Sequence, residues 1–197
     1  HIRTSRKISL FDFKTKPISS TQIILFQTRC FNSNTDPDVF AIHEQRYDII
    51  KLLKKNFPKL FIGGFVASNM SELKYSDAIT NIPSDPVSYI NAVKDSSIVI
   101  YTRGLKYSPA WKMAEYCSQG KVIIAERLTA ELPDDLKDGE HVLFFEDYED
   151  LVKKIKLVLR SEKLRDTLSF NAQEYYLNII HPKKNMLRIL NIMGCHL

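Results

Sequence analysis

The chain has 197 residues, 44% of them hydrophobic and 26% charged, enough apolar material for one globular unit with a buried core. No apolar run reaches membrane-spanning length and no signal-peptide pattern opens the chain, so it reads as cytoplasmic. A formal net charge of +5 suits a lysine-rich solvated surface, a phosphorylated ligand or a membrane edge, and no RRM, KH or zinc-finger signature supports nucleic acid.

Residues 1–20 are polar and irregular, as in a linker entering a domain, and His1 in place of a starting Met suggests a piece of a longer protein. The run Gln22-Ile23-Ile24-Leu25-Phe26-Gln27 is short, β-branched and apolar, the mark of a strand buried on both faces. A loop from Thr28 to Asp38 follows. Residues 39–56 have helical periodicity: Ile42, Tyr47, Ile49, Ile50, Leu52 and Leu53 form the apolar side, leaving His43, Glu44, Arg46, Lys51, Lys54 and Lys55 to the polar side. After Pro58, Leu60-Phe61-Ile62 predicts a strand stopped by Gly63-Gly64. Short helices are expected over 71–79 and 86–94.

Residues 97–101 form a third apolar strand, followed by a loop to Tyr107. Ser108 as N-cap and Pro109 in the first turn then predict a helix to Ser118, ended by Gly120. Further strands are expected over 122–125 and 141–145, and helices over 147–160 and 161–180. Pro182 breaks the last of these, and a final helix runs to about Met193. Strands alternating with helices predict an α/β fold, a parallel sheet covered on both faces. In such sheets a ligand sits beyond the carboxyl ends of the strands, which directs attention to Arg29, Gly63-Gly64, Arg103-Gly104 and Glu126. The three cysteines, Cys30, Cys117 and Cys195, show no CxxC spacing, and the five histidines are scattered. Free thiols in a reducing compartment are expected, with no metal site.

The stretch from Tyr107 to Phe145 is the most informative. It holds Ser108-Pro109-Ala110-Trp111-Lys112-Met113-Ala114-Glu115, then Gly120-Lys121-Val122-Ile123-Ile124-Ala125, then Asp138-Gly139-Glu140-His141-Val142-Leu143-Phe144-Phe145. This order resembles the C-terminal, donor-binding domain of group 1 GT-B glycosyltransferases. They share a Glu-bearing helix, a strand of the Val-Ile-Ala type, an Asp-Gly-x-x-x-Leu-x-Phe run and a following helix. The resemblance covers residues 97–180, helped by the helix from Glu149 and the segment Glu162 to Arg165.

The resemblance implies a Rossmann-like domain over 21–180, with residues 181–197 as a C-terminal helix. It implies that Glu115 holds the nucleotide ribose, as a carboxylate accepting two hydroxyl hydrogen bonds would. It places the diphosphate near the start of the same helix, at Ser108, Pro109 and Ala110, where backbone amides and the helix dipole favour an anion. Arg103 with Gly104, Lys106 and Lys112 stand close enough in sequence to neutralise phosphates. Arg29 fits the basic group after the first strand, and Gly63-Gly64 would let backbone approach the ligand. The nucleotide-sugar is a substrate, so no cofactor or metal is expected. The acceptor would be a glycan or lipid-linked saccharide, gripped with any catalytic base by an N-terminal domain outside this chain. One departure stands out. Many members carry Glu-x7-Glu, and where the first glutamate would stand this chain has Tyr107. Two other readings remain open at this point: a non-catalytic α/β module that binds a nucleotide or a partner, and, on charge alone, a nucleic-acid-binding domain.

Overall fold

The computed structural model describes residues 22–31, 36–130, 132 and 134–194. The expected linker over 1–20, and Cys195, lie outside the described residues. Five strands, β1 (Ile24–Thr28), β2 (Phe61–Phe65), β3 (Ile98–Tyr101), β4 (Val122–Glu126) and β5 (Leu143–Phe145), form one sheet in the order β2-β1-β3-β4-β5. Every pairing is parallel. The expected α/β fold is therefore present, with the helices α1 (Pro37–Asn56), α2 (Asn69–Lys74), α3 (Pro86–Asp95), α4 (Lys112–Ser118), α5 (Tyr148–Arg160), α6 (Glu162–Tyr175) and α7 (Pro182–Ile192) around it.

The strands read as continuous apolar runs because alternate residues enter two different cores. Ile24, Phe26, Ile98, Ile100, Val122 and Ile124 pack with Ile49, Ile50 and Leu53 of α1 and Leu151, Ile155 and Val158 of α5. Leu25, Val99, Tyr101, Ile123 and Ala125 pack on the other face with Val93 of α3, Met113, Tyr116 and Cys117 of α4, and Ala172 and Tyr175 of α6.

Side chains cap most of the helix starts. Asp36 accepts from the Asp38 amide ahead of Pro37, Asp85 accepts from Val87 and Ser88 ahead of Pro86, and Asp147 and Ser161 cap α5 and α6. His181 does the same for α7 ahead of Pro182. The long helix expected over 161–180 is instead α6 followed by a π-helical turn, Tyr176–Ile180. Among the described residues, no helix is long and apolar enough to cross a membrane. Cys30 and Cys117 are free thiols.

Two expectations are corrected. The pair Gly63-Gly64 does not stop β2 but lies within it, at φ 118° and 138°. A Cβ on Gly63 would stand 2.3 Å from the Phe26 carbonyl oxygen, and one on Gly64 2.3 Å from that of Ala78. The glycines are there because neighbouring backbone passes too close for any side chain. Ser108 is not the N-cap of α4. The chain makes a 3-10 turn at Leu105–Tyr107, runs irregularly through Ser108–Ala110, and enters α4 at Lys112 behind Trp111, with no side-chain cap.

Candidate functional site

In the order β2-β1-β3-β4-β5 the connection direction reverses between β1 and β3, and there the loops leaving the two strands part to form a crevice. A cleft of about 890 Å³ occupies that place. It is lined by Gln27, Thr28 and Arg29 after β1, by Tyr101, Thr102 and Gly104 after β3, and by Trp111, Lys112 and Glu115 at the head of α4.

Glu115 and Lys112, three residues apart on α4, face the cleft while Met113, Tyr116 and Cys117 face the core. The Oε2 atom of Glu115 is buried with no hydrogen-bond partner. Burial pushes its pKa above the usual carboxylate range, partly offset by the Lys112 charge and the Tyr89 hydroxyl. Lys112 donates to the Gln27 carbonyl and lies 5.3 Å over the Tyr89 ring. Burial, with the nearby Arg46 charge, lowers its pKa to about 8. Arg29 also lines the cleft and donates to the Ser84 carbonyl at 3.3 Å.

Gly104 and Ser108 line the cleft as a pair. The Gly104 amide donates to the Ser108 carbonyl at 2.9 Å, and a Cβ on Gly104 would stand 2.7 Å from Ser108 Oγ. The turn between them holds Lys106 and Tyr107 at φ 51° and 60°, a left-handed conformation uncommon outside glycine. Asp38 fixes it by accepting from the Lys106 amide at 2.8 Å. The expected amide nest over 109–111 is thinner than a helix start would give. Pro109 has no N–H, and the Ala110 amide already donates to the Tyr101 hydroxyl at 2.6 Å.

Arg103 does not line the cleft. Its guanidinium pairs with Asp38 at 2.8 Å and with Glu126 at 3.8 Å, and stacks 4.0 Å over the Tyr107 ring. Its own amide donates to Glu126 at 2.9 Å. Arg103 therefore ties the loop after β3 to α1 and β4. Gly63 and Gly64 are also absent from the cleft wall. Lys106 is exposed and pairs with Asp36 at 3.3 Å.

Sequence reasoning missed Arg46. Periodicity assigns it, with His43, to the polar side of α1, yet both are buried because that side turns under the loop after β1. The His43 imidazole Nε2 accepts from the Phe31 amide at 2.8 Å. Arg46 is 6% exposed and lines the cleft. No local sequence signal marks it, because its burial comes from a loop separated from it along the chain. Among the described residues no three His, Cys, Asp or Glu side chains gather as a metal set.

No curated protein matches the sequence. Solved structures do. The C-terminal domain of the group 1 family glycosyl transferase LpcC from Francisella tularensis is 16% identical with TM-score 0.54, covering 85% of this chain and 95% of that one. Anabaena HepE in complex with UDP-glucose is 12% identical with TM-score 0.65, covering 96% of this chain and 56% of that one. A mutant of S. aureus TarM, in complex with Fondaparinux, alpha-GlcNAc-glycerol and UDP, is 13% identical with TM-score 0.61, covering 90% and 36%. The chain thus spans roughly a third to a half of the longer relatives and nearly all of the isolated C-terminal domain. These likenesses show the GT-B type of fold. The family model described as glycosyl transferase-like matches residues 71–191. This chain belongs to the glycosyl transferase-like family.

Proposed function

We propose that this chain is the donor-binding unit of a glycosyltransferase that moves a sugar from a nucleotide-sugar to a glycan or lipid-linked acceptor. The carrying observation is the cleft at the β1/β3 crevice, where Glu115 presents a buried, unpartnered carboxylate oxygen beside Lys112. A ribose supplies the hydroxyl donors that this oxygen lacks. Lys112 and Arg29 offer cations for the diphosphate. Negative charge grows on the leaving nucleoside diphosphate as the glycosidic bond breaks, and fixed cations in a half-buried cleft favour that state over the ground state. Among the described residues Glu115 is the one carboxylate lining the cleft, and its proposed place is on the ribose. The acceptor and any base then come from a second domain that closes over the cleft. The HepE and TarM structures, solved with UDP-glucose and UDP, make uridine nucleotides the first probes.

The test is a thermal-shift panel of UDP, GDP, ADP and CMP, with their sugars, on the wild type and on Glu115→Ala. A ligand at a hundred times its Kd adds about 2.7 kcal/mol of stability. One nucleotide is expected to raise the wild-type midpoint and to leave the variant unmoved. A panel in which nothing stabilises the wild type, or in which the variant responds equally, contradicts the reading. Binding without sugar transfer by the full-length protein would favour a non-catalytic nucleotide module.

A further inference from the structure

The floor of the cleft holds a charge that the fold alone does not balance. Arg46 reaches it from α1 and gives Nη1 to the Arg29 carbonyl at 2.9 Å and Nη2 to the Arg103 carbonyl at 3.2 Å. One guanidinium thus bridges the loops that follow β1 and β3, the two walls of the crevice. Its Nε is buried and has no partner. Among the described residues no carboxylate lies within ion-pair distance of it; the more distant Glu126 charge and the Phe31 ring, 5.2 Å from the guanidinium, offset part of the burial. Carbonyl dipoles offset only part of the cost of burying a full charge, and a buried arginine normally has an anion beside it. Among the described residues Arg29, Arg46 and Lys112 line the cleft against the single carboxylate of Glu115, an excess of two positive charges. Burial lowers the Arg46 pKa to about 10.

We propose that Arg46 is a direct ligand of the phosphate groups the cleft takes, its free Nε–H completing the set begun by Lys112 and Arg29. The class of ligand is a diphosphate, whose two negative charges in a nucleotide-sugar match the excess in the lining. Holding both walls with the same guanidinium, Arg46 makes the gap between the loops depend on the anion bound there. This rests on the donor-site reading above, but concerns a residue that motif resemblance does not point to.

Inorganic pyrophosphate is the probe, because it carries the diphosphate without the nucleoside. Calorimetric titration would compare the wild type, Arg46→Gln and Arg46→Lys, each also titrated with UDP, GDP and ADP. Arg46→Gln is expected to lose about tenfold to a hundredfold in pyrophosphate affinity, the weight of one charge-assisted hydrogen bond. Arg46→Lys is expected to keep more of it than Arg46→Gln. Pyrophosphate affinity in Arg46→Gln within twofold of the wild type overturns the proposal. Should Arg46→Gln not fold, the wild type decides. Its Arg46 Nε–H resonance, identified by its loss in Arg46→Lys, is expected to move downfield as pyrophosphate is added, and a resonance unmoved at saturation overturns the proposal. A wild type that binds a nucleoside diphosphate but not pyrophosphate sinks the Arg46 role and leaves the donor-site reading standing. A wild type that binds neither sinks both.

Discussion

The half of the sheet around β4, β5, α5 and α6 differs sharply from the cleft at the ends of β1 and β3. In the first, buried polar groups that tie the elements together have partners, Gln119 Oε1 excepted. Lys121, buried under β4, donates to the carbonyls of Lys94 at 2.9 Å and Ser96 at 2.7 Å. Lys154 donates to the Phe144 carbonyl and pairs with Asp150 at 2.7 Å. Ser169 donates to the Gly120 carbonyl at 2.5 Å. In the cleft, Gln27, Arg46 and Glu115 each leave a buried polar atom without a partner, three of the five such residues described. Lys112 opens α4, which among the described α-helices is the one without a side-chain cap. Unmatched polar groups cost stability, and their concentration in one crevice is what supports the proposed ligand site there.

That contrast predicts opposite responses to mutation. The largest effects should come from the sheet. Gly63→Ala adds a Cβ into the Phe26 carbonyl at a positive φ and should cost about 2–6 kcal/mol, read by urea unfolding. A loss under about 1 kcal/mol would mean that the glycine serves something other than close backbone approach. Ile123→Ala, fully buried in β4, should cost about 2–5 kcal/mol. Arg103→Ala should come next. It leaves Asp38 and Glu126 without their guanidinium and frees the loop that carries Gly104 and Ser108, so both stability and nucleotide affinity should fall. If Arg103→Ala weakens binding with the melting temperature unchanged, Arg103 touches the ligand after all.

Glu115→Ala sharpens the comparison. Nucleotide affinity should drop about tenfold to a hundredfold, while the stability of the ligand-free chain stays within about 1 kcal/mol or rises, because an unpartnered buried oxygen is removed. A clear loss of stability would place Glu115 among the structural residues. The smallest effect is in pH. Lys112 with its pKa lowered to about 8 carries its charge below that value, so diphosphate affinity should weaken as pH rises through about 8. Stability moves the other way. Between about 8 and the unfolded lysine value the unfolded chain holds more protons than the folded one, so the Lys112 contribution grows with pH across that window and disappears as pH falls through it. Lys112→Met should flatten both profiles, and a profile unchanged in the variant would assign the pH dependence elsewhere.

The fold was legible because its signals are local. Ile24 to Phe26, Ile98 to Tyr101 and Val122 to Ala125 are apolar on both sides, and the helix starts expected at 86, 147 and 161 lie within one residue of those observed, whereas α1 begins at Pro37 inside the expected loop. The site was legible only in part. Glu115 and Lys112 share a helix face, so their spacing carries the information. Arg103 looked like a ligand from its place after a strand, but its partners, Asp38 and Glu126, are remote in sequence and claim it first. Arg46 looked like solvent-facing polarity, since nothing local shows that the loop after β1 folds over that side of α1. The glycine pair in β2 was misplaced for the same reason: the need for glycine comes from the backbone of Phe26 and Ala78, distant along the chain.

The most direct test is a structure of this chain with its best-stabilising nucleoside diphosphate bound. The account predicts the ribose hydroxyls on the Glu115 carboxylate and the diphosphate between the ends of β1 and β3, within hydrogen-bond distance of Lys112 Nζ. A nucleotide seated elsewhere, or one that leaves Glu115 Oε2 without a partner, would contradict it.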